Sequence, residues 1–107
     1  MSLSTHVLDL HSGQPAANIP VTLMRDDQKI GHAVTDSDGR ISDLLGNGAV
    51  EFGQYQLNFD VADYFARQAS ETLYETIPVK FVIRDISRHY HIPLLLSPFG
   101  YSTYRGS

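Results

Sequence analysis

The chain has 107 residues, 42% hydrophobic and 19% charged, a balance that supports one packed core and excludes disordered and fibrous classes. Eight Lys and Arg against twelve Asp and Glu leave a net charge of -4 with no clustered basic face, which argues against nucleic acid as a partner. The lack of cysteine removes disulfides, thiolate metal sites and cysteine nucleophiles, and no apolar run approaches the ~20 residues of a bilayer crossing. The chain therefore reads as a soluble protein with no membrane partner, cytoplasmic, or periplasmic if a signal peptide was removed.

A single domain over residues 1–107 is expected. Apolar and polar residues alternate with period two along most of it, which puts successive side chains on opposite faces of a strand. Strands are predicted at 3–9, 20–25 and 29–35, punctuated by Ser12-Gly13-Gln14-Pro15 and Asp26-Asp27, residues suited to tight reversals. Asp36-Ser37-Asp38-Gly39 opens like a calcium loop but lacks the further oxygen ligands and the closing glutamate; it reads as an aspartate-stabilised turn that presents Arg40 from a fixed backbone.

After a turn at Gly46-Asn47-Gly48, the clearest strand is Tyr55-Gln56-Leu57-Asn58-Phe59-Asp60-Val61, whose apolar residues share one face. The alternation breaks from Asp60 to Gln68. There Val61, Tyr64 and Phe65 fall at helical spacing behind Asp60, a predicted N-cap with Asp63 three residues on, and mark one short helix. A strand over 79–84 follows, with Pro78 at its start, then one over 88–96, a turn at Pro98-Phe99-Gly100 and a last strand over 100–105. Pro93 puts its strand at an edge or leaves its N–H side free, and Leu94-Leu95-Leu96, apolar on both faces, predicts a second subunit over the outward one. Many short strands between frequent turns make an all-β sandwich or barrel.

Five histidines, His6, His11, His32, His89 and His91, offer acid, base or ligand chemistry near neutral pH. His89 and His91 are two apart on a predicted strand, so they share a face that could hold a metal or bracket a small ligand. No third ligand has motif spacing and there is no His-Glu-x-x-His helix, so neither metal nor cofactor is assigned; a zinc-binding or purely structural oligomer stays as an alternative. No Gly-x-Ser-x-Gly elbow or glycine-rich phosphate loop is present, so neither a serine nucleophile nor a nucleotide site is indicated.

The closing segment, His91-Ile92-Pro93-Leu94-Leu95-Leu96-Ser97-Pro98-Phe99-Gly100-Tyr101-Ser102-Thr103-Tyr104-Arg105-Gly106-Ser107, resembles that of the transthyretin-related 5-hydroxyisourate hydrolases. Leu3-Ser4-Thr5-His6-Val7-Leu8-Asp9 and Gly13-Gln14-Pro15-Ala16 are similar to that family's first strand and turn, and Thr35-Asp36-Ser37-Asp38-Gly39-Arg40 to its arginine-bearing loop. These blocks span the chain from end to end. The resemblance implies a transthyretin-like β-sandwich of two four-stranded sheets with one short α-helix, assembled as a homotetramer, a dimer of dimers whose central channel holds the active sites. It further implies a site of His6, Arg40 and His91 joined by the tail from Tyr104 to Ser107.

The family's reaction is hydrolytic opening of the six-membered ring of 5-hydroxyisourate to 2-oxo-4-hydroxy-4-carboxy-5-ureidoimidazoline, the step after urate oxidation. Such chemistry needs a base for water, an oxyanion stabiliser and a proton for the departing nitrogen. On the resemblance, His91 or His6 would take water's proton while Arg40 keeps that imidazole neutral and bonds a substrate carbonyl or the developing oxyanion. Tyr104 would orient the flat heterocycle, and Ser107 would act through its hydroxyl or its carboxylate. Arg105 would place the tail, and Gly106 would permit a close backbone approach. Small-molecule carriage on the same scaffold, as in the hormone carrier transthyretin, is the non-enzyme alternative, but that carrier lacks the histidine, arginine and tail combination.

Overall fold

The computed structural model describes residues 2–46 and 48–107, and the period-two alternation resolves there into strands that pair into two sheets. The strands are β1 (Leu3–Asp9), β2 (Gln14–Pro15), β3 (Pro20–Arg25), β4 (Gln28–Val34), β5 (Arg40–Ile41), β6 (Gly53–Asp60), β7 (Thr76–Ile83), β8 (Tyr90–Ser97) and β9 (Gly100–Thr103). One sheet runs β4-β3-β6-β7 and is antiparallel throughout. In the other, β1 and β8 pair in parallel over seven residues, β9 flanks β8, and β2 and β5 lie one after the other along the free flank of β1. The expected two sheets of four ranks are therefore present, with one rank split into two short pieces. Neither piece is long enough to show an alternation, so both read as turn residues in the sequence.

The sheets close on each other because β1, β3, β6, β7 and β8 each send one face inward. Leu3, Val7, Leu94 and Leu96 meet Val21, Leu23, Leu57, Phe59 and Ile77, all fully buried, in a single hydrophobic cluster. Turn chemistry behaves as its residues dictate: Asp26 and Asp27 both take positive φ (50° and 64°), the backbone of a two-residue hairpin loop whose twist suits its flanking strands.

Two expectations change, and a third is met over part of its strand. Helix α1 (Ala62–Arg67) is uncapped by Asp60: Val61 takes the N-cap position with no side-chain bond, because Asp60 still pairs with Thr76 across β6 and β7 and accepts that residue's hydroxyl at 2.9 Å. Pro78 sits inside β7 and not at its start, which an edge strand tolerates because one flank of its ladder is open. Pro93 is on an interior strand, yet β9 pairs with β8 only from Leu94 onward, so the free flank expected there exists over the first half of β8 alone. The turn expected at Gly46-Asn47-Gly48 falls partly outside the described residues, at Asn47. Among the described residues no helix is long and apolar enough to cross a membrane.

α1 ties the sheets together. It follows β6 directly, buries Tyr64 and Phe65, and sends the Tyr64 hydroxyl to Asp9 Oδ2 at 2.6 Å, while Asp9 Oδ1 accepts the N–H groups of His11 and Ser12. Asp9 is 1% exposed. Burial works to raise its pKa, but the bonds from Tyr64, Ser12 and His11 outweigh it and hold the carboxyl below its ordinary 3.8. A depressed carboxyl stabilises the fold fully above its unfolded pKa, and that contribution disappears as pH falls through the folded value. Tyr64→Phe should therefore destabilise the protein by about 1–3 kcal/mol in urea unfolding at pH 7, with the gap from the native chain narrowing as the pH is taken below 3.8.

Candidate active site

The parallel register of β1 and β8 sets the site. Leu3, Thr5, Val7 and Asp9 point into the core, so Ser4 and His6 point out of the sheet; the same alternation on β8 buries Ile92 and Leu94 and turns His91 outward. Ser4 lies opposite His91 and His6 opposite Pro93, while on the other flank of β1 His6 faces Arg40 of β5. Two histidines and an arginine far apart in sequence thus come to one face.

Arg40 is delivered by backbone geometry. The Asp36 carboxylate accepts the N–H groups of Asp38 and Arg40, each at 2.9 Å, which folds Asp36-Ser37-Asp38-Gly39 into the expected turn. Gly39 takes φ 73°, and a Cβ there would stand 2.4 Å from the Val7 carbonyl oxygen, so only glycine lets the loop lie against β1. The Val7 N–H then bonds Gly39 O at 2.7 Å and fixes Arg40 beside His6.

The tail returns along the part of β8 that β9 leaves free. Gly106 N–H bonds His91 O at 2.8 Å, and a Cβ at 106 would come within 2.4 Å of His91 Cδ2, so the close approach expected of this glycine is present. Ser107 then lines a shallow concavity of about 290 Å3 together with Ser4, Arg40, Ser42, His89 and His91. A larger hollow of about 520 Å3 opens on the other sheet beside Asp26, Asp27 and Lys80, but it takes in none of the expected site residues. The smaller one holds the chemistry.

His91 Nδ1 lies 2.8 Å from Ser4 Oγ, and its Nε2 has no partner among the described residues. Burial lowers its pKa first, with electrostatic interaction with His6, His89 and Arg40 adding to the effect, so the neutral imidazole is favoured at pH 7. The guanidinium contributes as expected, but desolvation is the larger cause. His6 donates from Nε2 to the Asp38 carbonyl at 2.9 Å, since a carbonyl can only accept; a neutral His6 therefore keeps its lone pair at Nδ1.

His89, exposed, pairs its Nε2 with the same Ser4 Oγ at 3.0 Å and its Nδ1 with Ser2 Oγ, and its ring stacks on that of His91 with centroids 6.4 Å apart. A hydroxyl thus ties the two imidazoles together. Among the described residues no three His, Asp or Glu side chains converge in a metal-holding group.

Of the expected site residues, Arg40, His91 and Ser107 line one concavity, and His6 stands one row away, near enough to act electrostatically on His91. Tyr104 does not reach it within the protomer and is 55% exposed. Ser4 went unassigned in the sequence. Its position two before His6 already put it on the same face, but only the pairing with β8 reveals its partners. The assembled groups supply a neutral base, a fixed cation and hydroxyls, the parts that water attack on a carbonyl requires.

Residues 3–106 match the model of the HIUase/Transthyretin family. The chain is 45% identical to the 5-hydroxyisourate hydrolase of Halalkalibacterium halodurans over 98% of this chain and 97% of that one. Its fold superposes on Klebsiella pneumoniae 5-hydroxyisourate hydrolase with a TM-score of 0.91 at 36% identity, covering 100% of both chains. Sea bream transthyretin in complex with thyroxine gives a TM-score of 0.90 at 31% identity, over 99% of this chain and 95% of that one.

A depressed histidine pKa favours the folded state at high pH: the contribution is complete above the ordinary 6.5 and is lost as pH falls toward the folded value. The His91 ring proton followed by NMR should titrate below 6.5 in the native chain. Gly106→Ala, by pushing the tail off the ring, should move that midpoint upward; an unchanged midpoint would show that the tail does not desolvate His91.

Proposed function

This chain belongs to the HIUase/Transthyretin family, and from that we propose that it is a one-domain hydrolase, residues 1–107, that opens the ring of 5-hydroxyisourate in urate degradation to give 2-oxo-4-hydroxy-4-carboxy-5-ureidoimidazoline. One observation carries the reading: a neutral imidazole with a free Nε2 shares a concavity with a guanidinium and the Ser107 end of the tail. A carrier on this scaffold would need an apolar slot, whereas these lining groups are a base and hydrogen-bond donors.

In the proposed mechanism His91 is the general base. Its Nε2 takes a proton from water as the water oxygen bonds a ring carbonyl carbon, and Arg40 hydrogen-bonds the oxyanion that forms. The ring C–N bond then breaks, and the proton held by His91 passes to the departing nitrogen. His6, next to Arg40, acts with it electrostatically on His91 and offers its remaining ring nitrogen to substrate. Ser107 orients substrate or water, and no metal or cofactor takes part.

We assign Tyr104 to substrate binding across a subunit boundary, because it is exposed in the protomer while the sheet face beside it remains apolar. Leu8 and Leu95 lie opposite each other on the face that carries His6 and His91, and Leu10 and Phe99 are 59% and 65% exposed. A homotetramer, a dimer of dimers meeting on this face, would cover it and enclose the concavities in a channel. We place the assembly in the cytoplasm.

The test is the ultraviolet absorbance decay of freshly generated 5-hydroxyisourate, which the native chain should accelerate; no acceleration over the spontaneous reaction sinks the reading. His91→Ala should lower turnover by about 100- to 10,000-fold. Leu95→Glu should shift the native tetramer to smaller species in sedimentation velocity, with loss of activity in step.

A further inference from the structure

One serine hydroxyl joins two imidazoles that line the same concavity, the half-buried His91 and the exposed His89. We propose that Ser4 and His89 are positioning residues for His91, forming a proton relay that fixes its tautomer and moves positive charge from the half-buried His91 to the exposed His89 while His91 holds water's proton. This rests on the reading of His91 as the base for 5-hydroxyisourate hydrolysis.

Hydrogen-bond direction carries the argument. For His91 Nε2 to accept a proton from water in the neutral ring, Nδ1 must bear the hydrogen and donate it to Ser4 Oγ, 2.8 Å away. The single Ser4 hydrogen is then free to point at His89 Nε2, 3.0 Å away, and His89 must carry its own hydrogen on Nδ1, facing Ser2 Oγ. Each donor in the row has one acceptor, and the row has one direction. Reversing it would put the His91 hydrogen on Nε2 and leave no base in the concavity. Ser4 is 8% exposed, so this hydroxyl has little water to turn to instead.

The relay balances in protons. When His91 Nε2 gains a proton from water, the Nδ1 proton passes to Ser4 Oγ as the Ser4 proton passes to His89 Nε2. Positive charge leaves a half-buried ring next to His6 and Arg40 for an exposed one. Return of the protons along the row restores the Nδ1 hydrogen and releases the Nε2 proton to the departing ring nitrogen. The same desolvation and neighbouring charges that keep His91 neutral make a lasting imidazolium there costly, which is the reason to export the charge.

Three variants of the full-length protein test this in the absorbance assay, with the native chain alongside, so a failure of the function reading shows itself as a native chain without activity. Ser4→Ala should lower kcat about 10- to 100-fold with KM little changed, the size of effect that loss of a group orienting an active residue produces, and Ser4→Thr, which keeps the hydroxyl, should restore most of it. His89→Ala should lower kcat similarly and recover when imidazole is added to the buffer, because a soluble imidazole can reach the exposed place that His89 leaves. An active native chain with wild-type kcat in Ser4→Ala or His89→Ala overturns the relay, as does a His89→Ala loss that imidazole leaves untouched. Nitrogen-15 NMR of the imidazoles gives a readout without turnover. His91 should be the Nδ1–H tautomer in the native chain and lose that bias in Ser4→Ala; an Nε2–H tautomer in the native chain overturns the proposal.

Discussion

The parallel pairing of β1 with β8 is the constraint on which the molecule depends. Side chains alternate with period two, so one register decides simultaneously that Leu3, Val7, Leu94 and Leu96 enter the core and that Ser4, His6 and His91 leave it. Slipping either strand by one residue would bury an imidazole and expose a leucine. The inward faces hold the register by hydrophobic burial, and the buried Thr5 hydroxyl reinforces it by bonding Ile92 O at 2.6 Å. The site is thus assembled by the same free energy that folds the core, and its hydrogen-bonded row of Ser2, His89, Ser4 and His91 runs across the start of the paired strands.

Around that pair, two glycines admit the arginine loop and the tail. Gly39 lets the arginine loop lie on β1, and Gly106 lets the tail lie on the His91 ring; at both, a side chain would collide with backbone or imidazole atoms within 2.5 Å. Close approach has an electrostatic result as well. Burial desolvates His91, and the Arg40 guanidinium adds positive charge nearby, so the neutral ring is favoured where a base is wanted. Elsewhere a similar logic runs with opposite sign: Asp9 is buried, but donors on three sides keep it charged.

The outward face of this sheet carries both the imidazoles and apolar side chains. Leu8 and Leu95 share it with His6 and His91, so whatever covers the leucines also roofs the concavity. In the proposed assembly one surface would serve both contact and catalysis, and Tyr104, which stands clear of its own concavity, would be available to a neighbour's.

By itself the sequence determined the all-β class, nearly every long strand, the single helix and the turn that carries Arg40, because alternation, helical spacing and turn residues are local signals. Its short blocks also pointed to the family and to His6, Arg40, His91 and Ser107. Tertiary structure decided what depends on pairing between distant segments. It split one rank of a sheet into β2 and β5, kept Asp60 in its strand and away from the helix cap, and gave Pro93 only half a free edge. It also set Ser4 between His89 and His91. No local pattern encodes that contact, since 85 and 87 residues separate the partners and a parallel register alone brings them within hydrogen-bond reach.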